Sequence, residues 1–238
     1  MLGRFLEISV HAPVVRDAVA FYGSLGLTQA VTNDIWPHHY GVLTDGRVAL
    51  GIHAYDFPSP SLTWVRPGLA AHLSEYIDAG IEFEFQKTGE EVFNEVGFRD
   101  PDGQMATILE ARTYSPPSIP LTPPLIGYFR EYRYPVRSTA ASAAFWEPLG
   151  FVAMREDEDP ETESPVVLTS DGIDLSVYRA APQPPQFVFD STDLQAAEGL
   201  LEQRGFRPRR TRDAITGRDG LEVTAPEGSR LLVLEENL

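Results

Sequence analysis

Phe5-Leu6-Glu7-Ile8-Ser9-Val10-His11, then Pro13 and the run Val14 to Leu27 with its ending Phe21-Tyr22-Gly23-Ser24-Leu25-Gly26-Leu27, is the stretch that decides the fold. It reads as a strand, a break at proline, and a helix closed by glycine. The same pattern returns at Phe129-Arg130-Glu131 and at Phe145-Trp146-Glu147-Pro148-Leu149-Gly150-Phe151. Phe5 and Phe129, Glu7 and Glu131, Phe21 and Phe145, Gly26 and Gly150 are each separated by 124 positions. Further along, Asp45-Gly46 answers to Asp171-Gly172, Gly80 to Gly205, and Pro101-Asp102-Gly103 to Pro226-Glu227-Gly228. The offset drifts by no more than two residues, so the chain reads as a tandem duplication with small loop insertions.

Within each half the pattern splits again. Residues 4–11 form a strand whose alternation puts Phe5, Glu7, Ser9 and His11 on one face; residues 14–24 form a helix. Strands follow at 40–43 and 47–53. A second unit opens at 61–65, with a helix carrying Leu69, Leu73, Tyr76 and Ile77 up to Gly80, then strands at 82–86, 91–98 and 105–111. The second half repeats the plan with a strand at 128–134, a helix at 137–147 and strands at 151–155, 165–169 and 173–178. Its last unit opens at Gln186-Phe187-Val188-Phe189, and Thr192-Asp193-Leu194-Gln195 predicts a capping box for the final helix. The expected architecture is α+β: four βαβββ modules paired into two cupped mixed-sheet domains, over 1–112 and 126–238. The segment 113–125, with five prolines, is a semi-rigid linker between them.

The chain has 238 residues, is 42% hydrophobic and lacks cysteine, which excludes disulfides and thiolate metal sites. No apolar run approaches the length of a membrane span, and the start of the chain has no apolar signal core, so a cytoplasmic protein is expected. A formal charge of −16 repels phosphate backbones and anionic lipid, which argues against nucleic-acid and membrane partners and leaves a small-molecule ligand. Composition leaves the oligomeric state open. The acidic run Glu156-Asp157-Glu158-Asp159 with Glu161 and Glu163 reads as a solvated loop.

The segments Phe21 to Leu27 and Phe98-Arg99-Asp100-Pro101-Asp102-Gly103, with the glycine stop at Gly80, resemble the vicinal oxygen chelate superfamily of glyoxalase I, the bleomycin resistance proteins and the extradiol dioxygenases. The resemblance covers nearly the whole chain and implies the layout of a two-domain extradiol dioxygenase. It also implies where metal ligands would stand in members that use them. Those positions hold Glu7, Ser61, Thr107 and, near the fourth, Leu50 in the first half, and Glu131, Gln186, Leu232 and Leu175 in the second. Such a donor set is poor for a divalent transition metal. His11 stands about 13 Å along the strand from Glu7, and His38, His39, His53 and His72 read as ordinary histidines. The chain is therefore expected to use no metal and no cofactor.

Glu7 and Glu131 are the candidate catalytic carboxylates, at matching cup positions. Ser9, His11, Ser61, Thr107, Arg133 and Gln186 are the candidate substrate-binding residues. Desolvation would raise the basicity of either carboxylate; the competing reading is a paired structural carboxylate, for which Arg133 is at hand beside Glu131. Glu7 is expected to have only hydroxyl neighbours. Trp36, Tyr40, Tyr55, Trp64, Tyr132, Tyr134, Trp146 and Tyr178 supply core and cup lining. Two function classes follow: a metal-free protein that binds or sequesters an aromatic or polycyclic compound, or an enzyme of the same superfamily. The enzyme would be a metal-independent isomerase, lyase or cyclase with a cavity glutamate as base, or a divergent extradiol-type dioxygenase.

Overall fold

The structure is a computed structural model that describes residues 1–31, 39–110, 121, 123–154 and 163–236. The first module runs β1 (Arg4–His11), α1 (Val15–Ser24), β2 (Thr28–Ala30), β3 (Tyr40–Thr44) and β4 (Ala49–His53). The second runs β5 (Ser61–Val65), a 3₁₀ turn over Leu69–His72 leading into α2 (Leu73–Asp78), β6 (Phe83–Lys87), β7 (Glu95–Arg99) and β8 (Met105–Leu109). The third is β9 (Tyr128–Val136), α3 (Thr139–Trp146), β10 (Val152–Met154), β11 (Val166–Ser170) and β12 (Ile173–Arg179). The fourth is β13 (Gln186–Ser191), α4 (Leu194–Gln203), β14 (Arg209–Arg212), β15 (Asp219–Thr224) and β16 (Arg230–Glu235).

Two modules make each eight-stranded sheet, in the orders β2-β3-β4-β1-β5-β8-β7-β6 and β10-β11-β12-β9-β13-β16-β15-β14. The expected four-module plan is therefore present. In each sheet the opening strands of the two modules pair antiparallel at the centre, and each also pairs in parallel with the last strand of its own module. Gly26 and Gly150 end the helical segments at φ +95° and +108°, a conformation other residues rarely adopt. No helix among the described residues is long and apolar enough to cross a membrane. Most of the linker at 113–125 and most of the acidic run lie outside the described residues, as do Trp36 and His38.

Local departures have physical causes. A bulge in β1 between Phe5 and Glu7 reverses the side-chain alternation. Phe5 joins Ile8 and Val10 in the core, edge-on to Trp64 at 5.4 Å, while Glu7 takes the opposite face. Phe5 and Glu7 thus do not share a face as simple alternation predicts. The register of β9 shifts at the matching place, between Phe129 and Glu131. Because the helix after β5 begins as a 3₁₀ turn, Leu69 and Tyr76 are buried but Ile77 is exposed. The cap of α4 is Asp193, which accepts from Ala196 N at 2.8 Å, not Thr192. Glu163 is no solvated bystander: it accepts from Thr139 N and Ser138 Oγ, both at 2.8 Å, at the N-terminus of α3.

The helix-bearing faces of the two sheets meet. Trp64 of the first half lies 6.1 Å from Trp146 on α3, Phe98 lies 6.4 Å from the same indole, and Phe21 on α1 lies 5.3 Å from Phe206. Tyr22 OH donates to Glu227 at 2.6 Å, Tyr132 OH to Gln104 at 2.8 Å, and Tyr134 OH to Asp100 at 2.9 Å. One cluster of buried apolar side chains runs through both halves. The other face of each sheet, the cup face, points away from this core and carries the candidate site residues.

Candidate functional site: two unequal cups

In the first cup β1 supplies Glu7 and Ser9, β4 supplies Gly51 and His53, β3 supplies Tyr40, β5 supplies Ser61 and Thr63, and β8 supplies Thr107. The Glu7 side chain is buried. Its Oε2 accepts from Tyr40 OH at 2.7 Å, and its Oε1 accepts from Ser9 Oγ at 2.9 Å. His53 Nε2 lies 2.9 Å from the same Oε1. The hydroxyls continue the network: Ser9 meets Thr63 at 2.8 Å, and Ser61 meets Thr107 at 2.9 Å. Hydrogen bonds of this kind offset the cost of burying a carboxyl group.

Gly51 makes this placement possible. A Cβ there would stand 2.0 Å from Glu7 Oε1, so the carboxylate occupies the space a side chain would fill. Aromatic rings stand around the imidazole: Tyr40 at 4.5 Å, Phe57 at 5.6 Å and Tyr55 at 6.3 Å, with Tyr55 stacked on Phe57. His11 is apart from this group. Its Nδ1 lies 3.6 Å from Asp56 and its ring 6.3 Å from Phe57, at the rim.

Two expectations need correction here. Glu7 does not have hydroxyl neighbours alone, because His53 is its direct partner. The parallel register of β1 on β4 sets Ser9 opposite Gly51 and His11 opposite His53, which brings the imidazole back over Glu7. The same register puts Leu50 in the core, so the β4 residues that face the cup are Gly51 and His53.

The second cup is built differently. Glu131 is buried and its Oε1 accepts from Arg133 Nε at 3.0 Å and Nη2 at 2.6 Å. Arg133 Nη1 donates to Asp213 Oδ1 at 2.8 Å, and the Arg133 side chain is 1% exposed. Asp213 comes from the loop between β14 and β15 and is held by Thr216 through backbone N and Oγ1. Gln186 lies beside Arg133 in register, with Val188 beside Glu131. Val188, Leu232 and Leu234 form a small apolar cluster of their own. The paired reading of Glu131 matches this geometry.

Burial alone would raise the Asp213 carboxyl, but the Thr216 hydrogen bonds and the Arg133 charge together hold it below the ordinary carboxylate range. A carboxylate with a depressed folded value contributes stability above its unfolded value, near about 3.9, and loses it as pH falls through the folded value. Urea midpoints measured from pH 7 downward should therefore fall below about pH 4, and Asp213→Asn should flatten that acid limb. An unchanged limb in the variant would show that Asp213 carries none of it.

Metal-using members of the resembled superfamily hold their ion at these same cup positions. The first cup offers Glu7 and His53, already bonded to each other, with Ser61, Thr107 and Gly51; the second offers Glu131, committed to Arg133, with Gln186 and Leu232. Among the described residues no three histidine, aspartate or glutamate side chains converge as a metal would need. The described residues do not fit the ion. A cavity of about 380 Å³ opens elsewhere, where the ends of the two sheets meet, lined in part by Pro60, Pro101, Pro135 and Pro182. Its guanidinium groups, Arg99 and Arg137, are paired with Glu84 and Asp102.

With two sheets of paired βαβββ modules, the chain has the two-domain vicinal oxygen chelate fold. Among solved structures it is similar to extradiol ring-cleaving dioxygenases. A catechol 2,3-dioxygenase superposes with a TM-score of 0.63 at 16% identity, over 98% of this chain and 88% of that one. Homoprotocatechuate 2,3-dioxygenase from Arthrobacter globiformis gives 0.67 at 13% identity, over 99% and 80%. A variant of the enzyme from Brevibacterium fuscum gives 0.63 at 12%, over 99% and 72%. No family model matches the sequence, and no curated protein matches it. At these identities the likeness is one of fold.

Proposed function

We propose that this chain is a metal-free protein that binds or sequesters a small molecule, an aromatic or polycyclic compound carrying a hydroxyl group. The observation that supports it most is the Glu7 carboxylate, ringed by Ser9, Tyr40 and His53 where a metal-using relative would place its ion. Aromatic rings around a few oriented polar groups suit a flat ligand with one donor. A chain of charge −16 is proposed to work in the cytoplasm without nucleic-acid or membrane partners.

The test uses 2-naphthol, a flat probe with one hydroxyl, followed by its own fluorescence. Wild type should bind it, and Glu7→Gln should weaken binding about tenfold, the equivalent of about 1.4 kcal/mol. Glu7→Gln should also lower stability by about 1–3 kcal/mol, because its amide NH₂ confronts Tyr40 or His53 as donor against donor. Loss of stability with unchanged 2-naphthol binding would overturn the reading. Protein purified without chelator should carry under about a tenth of an equivalent of iron, manganese, zinc or nickel. Stoichiometric metal that disappears in Glu7→Gln would overturn it equally.

A second reading is favoured by the 2.9 Å contact between Glu7 and His53. A carboxylate that orients an imidazole is the arrangement of a general base. A metal-independent isomerase would take a proton from a carbon acid onto this pair and return it to a neighbouring atom of the same molecule. Exchange of ligand C–H for deuterium in D₂O, abolished by His53→Asn, would establish this reading over simple binding.

A further inference from the structure

The two cups began as copies, and strand register matches them position by position. Ser9 and Arg133 both lie two residues beyond the opening glutamate; Ser61 and Gln186 are their partners on the neighbouring strand. Thr63 matches Val188, and Thr107 matches Leu232. Gly51 matches Ser176, and His53 matches Tyr178. From first cup to second, serine becomes arginine, serine becomes glutamine, threonine becomes leucine, glycine becomes serine and histidine becomes tyrosine. Only the threonine-to-valine change keeps its size, and that one removes a hydroxyl.

From this we infer that the chain has one working cup, in the first half, and that the second has become a structural plug centred on Arg133. The inference rests on the proposed binding function and goes further, by assigning the site to one half. Arg133 fills the space over the second sheet and takes both charges that face it, Glu131 on its own strand and Asp213 from the loop above. Asp174, on β12 beside them, is pushed up by burial, with the Glu131 charge adding to the effect. An incoming hydroxyl would have to displace an ion pair whose members leave water badly when separated. In the first cup the matching positions carry hydroxyls and one carboxylate–imidazole pair, with no guanidinium among them.

The experiment is calorimetric titration of the full chain with 2-naphthol. One equivalent is expected. Thr107→Leu, and separately Ser61→Gln, copy the second cup into the first and should weaken binding at least tenfold. Gln186→Ser and Leu232→Thr, made in the second cup, should leave it within twofold. Two equivalents, or a tenfold loss from either second-cup change, would overturn the inference. If 2-naphthol does not bind at all, the binding function fails, and the plug is decided without ligand. The Arg133 Nε–H resonance, assigned by its loss in Arg133→Lys, should exchange with water at least tenfold more slowly than that of exposed Arg16. Equal exchange rates would overturn the plug.

Discussion

Arg133→Leu should lower the unfolding free energy by about 3–5 kcal/mol, the cost of leaving buried charges without their partner. Asp213 loses its guanidinium partner in that variant, and Glu131 is left with only the longer contact from Arg130 Nε at 3.5 Å. The contrast is a triple variant, Glu131→Leu, Arg133→Leu and Asp213→Asn, which removes all three charges together. It should recover most of the loss, because an apolar filling of similar volume is about as stable as a buried ion pair. Denaturant unfolding of the two variants beside wild type measures both quantities. A single-variant loss below about 1 kcal/mol, the range of exposed pairs, would mean that Arg133 is not a structural centre.

Gly51→Ala should act as strongly on the first cup. The added Cβ would stand 2.0 Å from Glu7 Oε1, so the carboxylate must leave its place. Its bonds to His53, Tyr40 and Ser9 break together, and a charge is left in a site shaped for another position. A loss of about 3 kcal/mol is expected, with 2-naphthol binding weakened more than tenfold. Adding Glu7→Ala to Gly51→Ala removes the collision, and the pair should be clearly more stable than the sum of the two losses. Binding should stay weak. Additive losses in this cycle would show that Gly51 and Glu7 do not meet.

Much of this was legible in the sequence because duplication doubles each signal. Glu7 and Glu131, Gly26 and Gly150, and the two turns after the third strands marked the modules before any strand was placed, and the Glu131–Arg133 pair lay within one strand. What was not legible depends on register and on long-range return of the chain. Nothing local announces the bulge that turns Phe5 away from Glu7. His53 reaches Glu7 only through the parallel pairing of β1 with β4, from 46 positions away. Asp213 reaches Arg133 from 80 positions away, through a loop whose direction composition does not set. One hint was present: Gly51 and His53 alternate with Leu50 and Ile52, so a small residue and an imidazole share the face opposite the core.

The shared core between the halves, with Trp64 against Trp146 and Tyr22 bonded to Glu227, ties their fates together. Neither half has a finished surface when it stands alone, since the faces that meet are the apolar ones. Fragments 1–112 and 126–238 made separately should therefore aggregate or stay unfolded, and should regain order only when mixed. The intact chain should melt in one step. Neither half can change its inner face alone, because each is the wall against which the other is built.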